Sequence, residues 1–265
     1  MTTYSYPSIL IFGDSITQGI WKNQSGYSPG AALNDIYSRK LQVLERGFAG
    51  YNTANARYIV NKIIPPANGA VAVKLLVLWL GANDCILSTA ASGQHVPLAE
   101  YKANLKAIIN STNMLTHIAK GAKVIIVAPP AYNEYQGGAY NADHKAVNHK
   151  AYAEAAGQVA AEMGHAFLDM WTIMMNSVGW QTGDPLIGDI NVASSSGLAS
   201  LLQDGLHPSA AGYKLFYQGL RNITCSTFVS DLCSPPKAFP DWNTAPKYTG
   251  PLKKREMEKR ARRLS

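Results

Sequence analysis

Five apolar, largely β-branched runs alternate with segments of helical periodicity along this chain of 265 residues. The run at 71–80 is the most regular and consists almost entirely of Val, Leu and Trp. Continuous hydrophobic runs are typical of parallel strands that are buried on both faces by helices. The sequence therefore predicts one doubly wound α/β domain with a central parallel sheet of about five strands. The predicted strands span 8–12, 43–48, 71–80, 124–128 and 166–168.

Helical periodicity and capping residues predict the helices between these strands. Pro29 suits the first position of a helix, and Ser28 before it suits the N-cap. The predicted helices span 29–41, 53–63, 97–117, 142–163 and 208–221. We expect residues 1–233 to form the single domain, followed at 234–265 by a strap that contains prolines and a basic tail.

The charge of the chain is concentrated at its C-terminal end. The net charge is +7, and residues 253–265 contribute seven Lys or Arg and two Glu, which leaves +2 for the rest. A folded nucleic-acid-binding face would need its basic residues on the domain itself, so no nucleic-acid partner is expected. We interpret the tail as a solvated, fraying helix, with a targeting or anionic-surface role as the alternative.

The sequence also bears on the cellular location of the protein and on the redox state of its cysteines. It has no apolar run of roughly 18–20 residues, so no stable membrane insertion is expected. The first predicted strand begins almost at once and no signal-peptide pattern precedes it, which predicts a cytoplasmic protein. Cys85, Cys225 and Cys233 suit reduced thiols in that compartment, and a Cys225–Cys233 bridge is the alternative.

Polar residues follow several predicted strands at their carboxyl ends. Asp14 and Ser15 come directly after the first strand, where ligands of open α/β sheets bind. The segments 48–53 and 81–84 follow the second and third strands in the same way. Asp204 and His207 stand just before the last helix and supply a carboxylate and an imidazole. Together these residues provide the parts of a serine nucleophile system, namely hydroxyl, base and orienting acid.

These four segments resemble the sequence blocks of the SGNH (GDSL-type) hydrolase superfamily. Ser15 matches the nucleophile, Gly50 the glycine of the second block, Asn83 the asparagine of the third, and His207 the base. The first block reads Gly-Asp-Ser-Ile here instead of Gly-Asp-Ser-Leu, an apolar exchange. Over about residues 8–222 the chain is also similar to the branch of isoamyl acetate-hydrolysing esterases. The segments that carry this second similarity are 46–53, 81–84, 94–98 through 104–106, and 168–172.

The resemblance implies a three-layer α/β/α, flavodoxin-like fold and a division of chemical roles. Ser15 would attack the ester, His207 would take its proton, and Asp204 would hold the imidazole in the correct tautomer. The oxyanion hole would consist of the N–H groups of Ser15 and Gly50 and the side-chain amide of Asn83. We assign Asp14 and Asp84 to structure, as hydrogen-bond partners that brace the neighbouring turns.

The expected function is hydrolysis of small carboxylic esters, such as acetate or other short-chain esters, through an acyl-enzyme. The same residues leave open a thioesterase, a lysophospholipase or a sugar deacetylase, and a non-catalytic binding module is the alternative outside enzymes. A homo-oligomer also stays open. The segment 176–198 precedes the Asp204 block, a position from which it could overhang the site or reshape the acyl or alcohol pocket, and its role stays open.

No metal or other cofactor is expected, because no metal-binding or nucleotide-binding motif is present. His95 could line the pocket, whereas His117 and His165 suit surface or helix-end positions. His144 and His149 are five residues apart on a predicted helix and should therefore lie on different faces.

Ser28 also lies in a sequence pattern that is typical of a nucleophile. Residues 26–30 fit the Gly-x-Ser-x-Gly pattern of a nucleophile elbow, but that elbow requires a strand directly before it. The preceding residues 22–25 are polar, so Ser28 is predicted to be a helix cap.

Overall fold

The computed structural model describes residues 6–67, 72–138, 141–193, 196–228, 232–241 and 243–245. Five parallel strands form one sheet in the order β2-β1-β3-β4-β5. The strands are β1 Ser8–Gly13, β2 Gln42–Gly47, β3 Val73–Trp79, β4 Lys123–Val127 and β5 Ala166–Leu168. The predicted parallel sheet of the α/β fold is confirmed.

Helices cover both faces of the sheet. In chain order they are α1 Ser15–Gln18, α2 Pro29–Ile36, α3 Thr53–Ile63, α4 Leu98–Ile109, α5 Thr112–Ile118, α6 Glu134–Gly137, α7 Ala146–Met163, α8 Met170–Ser177, α9 Ser196–Leu201 and α10 Ala210–Ser226. None of the helices in the described ranges is long and apolar enough to cross a membrane.

Alternate residues of each strand enter two separate cores, because successive side chains of a strand point to opposite faces. Ile9 and Ile11 of β1 belong to the core that α2, α8 and α10 cover. Leu10 and Phe12 belong to the core beneath α3, α4 and α7. All four side chains are at most 1% exposed, and burial of each contributes about 1.5–3 kcal/mol. The three layers predicted from the resemblance are thus present.

The predicted helix over 97–117 is two helices in the structure. The apolar stripe continues through this region, but Ser111 adopts an extended backbone with φ −61° and ψ 146° and separates α4 from α5. The predicted helix at 29–41 likewise ends at Ile36, and Arg39 beyond it has a φ of 62°. The extended backbone of Ser111 interrupts the first of these predicted helices, and the second stops at Ile36 with Tyr37 as its C-cap. Hydrophobic periodicity does not indicate such local changes of backbone geometry.

The expectation of reduced thiols is wrong for two of the three cysteines. Cys225 and Cys233 form a disulfide between the end of α10 and the chain that follows it, whereas Cys85 is free and buried. The α carbons of Cys225 and Cys233 are 4.4 Å apart, a separation that a disulfide spans. The bond fixes the start of the strap to the domain.

The described part of the strap packs against the domain. Just before the strap, the hydroxyl of Tyr37 donates to the carbonyl of Leu232 at 2.6 Å. Within the strap, the N–H of Ala238 donates to the carbonyl of Arg39 at 2.8 Å. Arg39 forms an ion pair with Asp241 at 2.8 Å. The boundary at residue 233 stays a prediction, and the basic tail at 253–265 lies outside the described residues.

Candidate active site

The carboxyl edge of the sheet brings the predicted site segments together. Asp14 caps α1 by accepting a hydrogen bond from the N–H of Ile16 at 2.9 Å, which places Ser15 at the first position of that helix. Gly50 follows β2 and Asn83 follows β3. Because β1 lies between β2 and β3, all three residues lie at adjoining strand ends.

Ser15, His207 and Asp204 form a continuous hydrogen-bonded chain. The Ser15 Oγ lies 2.9 Å from the His207 Nε2, although 192 positions separate the two residues. The His207 Nδ1 lies 2.8 Å from the Asp204 Oδ2. These distances are within the range at which a base can take the proton of a hydroxyl and a carboxylate can hold the imidazole.

The carboxylate of Asp204 is held by its own backbone turn. Its Oδ1 accepts from the N–H of Leu206 at 3.0 Å and from the N–H of His207 at 2.8 Å. Burial opposes ionisation, but the hydrogen bonds from His207 and the backbone outweigh it, so the pKa of Asp204 lies well below its ordinary value. The side chain is therefore ionised at neutral pH and can offset a charge on His207.

The turn that carries Asp204 rests on the chain after β4. The N–H of Asn133 donates to the carbonyl of Gly205 at 2.9 Å, and the side-chain amide of Asn141 donates to the carbonyl of Asp204 at 3.2 Å. Gly205 has a φ of 84°, which favours glycine, and a side chain there would meet the Asn133 carbonyl. Contacts from Asn133 and Asn141 therefore hold the turn that carries Asp204 and His207.

A second group of residues, joined by hydrogen bonds, lines the same cavity as Ser15. The Nδ2 of Asn83 donates to the carbonyl of Tyr51 at 2.9 Å, and its Oδ1 accepts from the Gln94 Nε2 at 3.2 Å. These two bonds fix the orientation of the amide and leave its second hydrogen unbonded within the described ranges. Gln94 also donates to the carbonyl of Gly50 at 2.7 Å.

Two backbone donors adjoin the amide of Asn83. Within the described part of the chain, neither the N–H of Ser15 nor that of Gly50 has a hydrogen-bond acceptor. Gly50 has a φ of 78°, a conformation that favours glycine. Sequence reasoning gave Gln94 no role of its own, and a side chain that orients another residue leaves no motif of its own in a single sequence.

These residues surround a cavity of about 460 Å³. Ser15, Gly50, Asn83 and His207 line it, and its further walls carry Ser92, Gln94, Asn141, Asp143 and His144 beside the apolar Ala49, Ile86 and Leu206. The cavity is therefore polar on several sides and large enough for a small molecule.

Asp14 and Asp84 brace the turns of the site, as predicted. Besides the cap formed by Asp14, the Oδ1 of Asp84 accepts from the N–H of Thr53 at 2.9 Å and from the Thr53 hydroxyl. Burial raises the pKa of each carboxyl to about 7. Both therefore retain a proton in weakly acidic solution, where an ordinary aspartate is ionised.

The overhang predicted for the segment 176–198 is not found among its described residues, none of which lines the cavity. The segment instead supports the chain after β4, where the carbonyl of Gly188 accepts from the N–H of Glu134 at 2.9 Å. Its influence on the Asp204 turn is therefore indirect.

The expectation that His144 and His149 lie on different faces is wrong. His144 precedes α7, which begins at Ala146, so helical spacing does not separate it from His149; the two rings are hydrogen-bonded at 3.1 Å. His117 lies in the last turn of α5, in agreement with the helix-end alternative; it is 2% exposed, and its ring bonds to the N–H of Val73 and to the carbonyl of Pro65. His95 bonds to the Ile86 carbonyl at 2.7 Å and does not line the cavity.

One group of potential metal ligands lies next to the cavity. Ligand atoms of Cys85, His144 and His149 lie within 4.8 Å of one another, and all three residues are buried. Hydrogen bonds already engage them, because the Cys85 Sγ donates to the Ala82 carbonyl at 3.2 Å and the two rings bind each other. The expectation that no metal is required stays a prediction.

Ser28 has the predicted structural role. Its hydroxyl donates to the carbonyl of Ile20 at 2.9 Å and accepts from the N–H of Ala31 at 3.2 Å, at the N-terminus of α2. It does not line the cavity that contains Ser15.

Comparison with known proteins identifies relatives over most of the chain. The model of the GDSL-like Lipase/Acylhydrolase family matches residues 11–215. The chain is 34% identical over 245 residues to an isoamyl acetate-hydrolyzing esterase 1 homolog from Rattus norvegicus, covering 89% of this chain and 87% of the relative. It is 34% identical over 222 residues to the homolog from Homo sapiens, covering 81% and 80%.

Solved structures with a similar fold include two bacterial enzymes. Axe2, an acetylxylan esterase from Geobacillus stearothermophilus, aligns with a TM-score of 0.59 and 19% identity, over 87% of this chain and all 100% of that one. A lipase/acylhydrolase from Enterococcus faecalis aligns with a TM-score of 0.57 and 23% identity, over 82% and 95%. At these identities the similarity shows the fold.

Proposed function

The chain belongs to the GDSL-like Lipase/Acylhydrolase family, and on this premise we propose that it is a serine esterase for small carboxylic esters. The proposed substrates are acetate or other short-chain esters. Their size suits the cavity of about 460 Å³, and the name of the relatives, isoamyl acetate-hydrolyzing esterase 1 homolog, refers to an acetate ester.

The observation that carries the proposal is the 2.9 Å contact between the Ser15 Oγ and the His207 Nε2. As Ser15 attacks the ester carbonyl, its proton moves to His207, and the carbonyl π electrons move to the oxygen. The resulting oxyanion accepts hydrogen bonds from the N–H groups of Ser15 and Gly50 and from the amide of Asn83. A single donor of this kind contributes about 2.7–4 kcal/mol to lowering the barrier.

Two further transfers complete the proposed cycle. The tetrahedral intermediate expels the alcohol, whose oxygen takes the proton from His207, and an acyl ester remains on Ser15. Water then attacks this acyl ester while His207 takes a proton from the water. The proton returns to the Ser15 oxygen as the carboxylic acid leaves. Asp204 keeps His207 in the tautomer that can accept at Nε2, and its charge offsets that of the protonated ring.

Ser15→Ala and Ser28→Ala form a matched pair for testing the nucleophile. We expect Ser15→Ala to abolish hydrolysis of p-nitrophenyl acetate and labelling by a fluorophosphonate probe, and Ser28→Ala to retain both. Circular dichroism of the two variants controls for folding. Activity that persists in Ser15→Ala and disappears in Ser28→Ala would contradict the assignment.

The acyl specificity separates the proposal from its alternatives. A series of p-nitrophenyl esters with increasing chain length, together with acyl-CoA thioesters, distinguishes a small-ester esterase from a thioesterase or lysophospholipase. We expect the highest kcat/KM for acetate or propionate, whereas a maximum at long chains or at thioesters would overturn the small-ester proposal. Acetylated oligosaccharides test the sugar deacetylase.

We propose the cytoplasm as the location, and the Cys225–Cys233 bond bears on this proposal. Disulfides persist mainly in oxidising compartments, so this bond is the structural feature that opposes a cytoplasmic location and makes a direct measurement necessary. Cell fractionation locates the protein, and immediate thiol alkylation with mass spectrometry reports the state of the bond in each fraction. Recovery of the protein in the cytosolic fraction supports the proposal, and recovery in a secretory fraction contradicts it.

A further inference from the structure

A chain of hydrogen bonds leads from the core of the protein to the wall of the cavity. The Nδ1 of His149 lies 2.9 Å from the carbonyl oxygen of Pro130, and its Nε2 lies 3.1 Å from the Nδ1 of His144. His149 is fully buried, and both rings pack against Tyr132 with centroid distances of 5.2 Å. The rings are therefore held in place by packing as well as by hydrogen bonds.

The carbonyl at the inner end determines where each proton resides. Because a carbonyl oxygen only accepts, the Nδ1 of His149 must carry a hydrogen. Burial lowers the pKa of His149 to about 3 and that of His144 to about 4, so both rings are neutral near pH 7 and carry one proton each. The Nε2 of His149 is then an acceptor, and the hydrogen between the rings belongs to the Nδ1 of His144.

The Nε2 of His144 is consequently a bare acceptor at the cavity. His144 lines the cavity while remaining only 7% exposed, and its Nε2 has no hydrogen-bond partner in the described ranges. The neighbouring Asp143, whose carboxylate also accepts hydrogen bonds, lines the same wall. This wall therefore offers acceptors to whatever occupies it.

The same wall adjoins the base of the proposed reaction. Leu206 and His207 line the cavity together with Asn141 and His144, and after burial, the positive charge of a protonated His207 is the next cause that lowers the pKa of His144. The departing alcohol takes its proton from His207, so the alcohol part of the ester must lie on the His207 side. The acyl carbonyl faces the donors around Asn83 instead.

We propose that the Nε2 of His144 binds a hydroxyl of the alcohol moiety, so that the enzyme selects esters of diols and polyols over esters of simple alkyl alcohols. This inference rests on the proposed esterase function and specifies its substrate class. His144 is the specificity-determining residue, and His149 is the positioning residue that fixes its tautomer. An alkyl group at this position would leave the buried acceptor unpaired, which costs binding free energy.

Histidine ¹⁵N NMR of the intact protein tests the tautomers without any substrate. We expect a protonated Nδ1 and an unprotonated Nε2 at His144, and the same arrangement at His149, with His144→Phe and His149→Gln used for assignment. A proton on the Nε2 of His144 would overturn the inference. So would stoichiometric binding of added Zn²⁺ with changed shifts at both rings, since Cys85, His144 and His149 would then form a metal site.

Two pairs of isosteric substrates test the selectivity. 2-Hydroxyethyl acetate is compared with propyl acetate, and 3-hydroxypropyl acetate with butyl acetate, so that each pair differs by a hydroxyl in place of a methyl group. We expect kcat/KM to favour at least one hydroxyalkyl ester by about threefold to tenfold. The ratio should approach one in His144→Phe, which keeps an aromatic ring beside Tyr132 but lacks the acceptor.

Variants of His149 separate positioning from general damage. Gln can donate to the Pro130 carbonyl and accept from the Nδ1 of His144, so His149→Gln should keep the wild-type ratio. His149→Leu can do neither and should lose it. An unchanged ratio in both His144→Phe and His149→Leu would overturn the inference.

The failure of this inference is distinguishable from failure of the proposed function. If Ser15→Ala retains hydrolysis, the nucleophile is wrong, whereas the ¹⁵N measurement of His144 is unaffected. If Ser15→Ala is inactive but wild type shows no preference in either substrate pair, the esterase function stands and the assignment of His144 is wrong. Should a His144 or His149 variant fail to fold, the NMR and kinetic measurements on wild type still decide the outcome.

Discussion

Replacement of Asp204 by Asn should invert the tautomer of His207. The Oδ1 of Asp204 accepts hydrogen bonds from two backbone N–H groups, those of Leu206 and His207. An amide NH₂ cannot accept, so Asn at this position must keep its oxygen towards these donors. Its NH₂ then faces the Nδ1 of His207 and donates to it, which places the ring proton on Nε2. Ser15 would face an N–H where it needs a base.

The size of the effect follows from the number of hydrogen bonds at stake. The opposite amide orientation would forfeit both backbone bonds, a net cost of about 0.5–1.5 kcal/mol each, so the inverted tautomer is favoured about 5-fold to 150-fold. Asn also removes the charge that offsets a protonated imidazole. Replacement of the corresponding Asp by Asn in serine proteases of the Ser-His-Asp type lowers kcat by about 10⁴. We expect kcat/KM of Asp204→Asn to fall by about 10³-fold to 10⁴-fold.

Hydrolysis of p-nitrophenyl acetate by Asp204→Asn and Asp204→Ala, measured side by side, checks this prediction. The Asn variant should be at least as impaired as the Ala variant, although it is closer to wild type in shape, because only Asn imposes the wrong tautomer. Thermal unfolding curves control for loss of structure. Retention of more than about one-tenth of the wild-type kcat/KM by Asp204→Asn would refute the reasoning.

Three further predictions concern residues that support the site. Gln94→Glu should lower kcat about tenfold or more, because a carboxylate would repel the Asn83 Oδ1 that the wild-type amide binds. The loss should be larger than in Gln94→Met, which removes the hydrogen bond without adding a charge. Equal losses of kcat in the two variants would argue against the role of Gln94 in orienting Asn83. For Asp84, the pKa is raised by burial from 3.8 to about 7, so between about pH 4 and 7 only the unfolded state releases this proton. The unfolding free energy of Asp84→Asn minus that of wild type should therefore increase with pH across this interval in denaturant titrations, and a difference that is flat or falls with pH would contradict the raised pKa. Gly188→Ala should destabilise the protein by about 1–3 kcal/mol, since Gly188 has a φ of 96° and a side chain there would collide with the Tyr132 carbonyl; Gly179→Ala, which shares a positive φ of 90° but meets open space, is the matched control, and equal loss in both would assign the effect to φ alone.

The sheet was accessible from the sequence through regular rules, and the meeting of Ser15 with His207 through a family resemblance. Continuous apolar runs define buried strands, and parallel strands bring their carboxyl ends to one edge. Thus β5 has the predicted bounds, β1 differs from prediction by one residue at its end, and β4 is shifted by one residue at both ends. The polar segments that follow these strands are therefore expected at that edge, and the resemblance to the SGNH hydrolases implies the pairing of Ser15 with His207.

The remaining features depend on local geometry that periodicity does not encode. The separation of α4 from α5 arises from the extended backbone of Ser111 within an unbroken apolar stripe. His144 joins His149 because α7 begins later than predicted, and a shift of four residues changes which side chains can meet. The Cys225–Cys233 bond depends on how the chain returns after α10, which composition alone does not specify.

The described part of the loop that contains Gly188 supports the site without lining the cavity. It contacts the segment around Asn133, which in turn is bonded to Gly205 beside the base, yet none of its described residues reaches the cavity. Insertions or substitutions in this supporting loop can alter how firmly the imidazole of His207 is held, while the cavity surface that recognises the ester stays unchanged. Turnover and selectivity can therefore diversify separately, the first through the loop around Gly188 and the second through the residues that line the cavity.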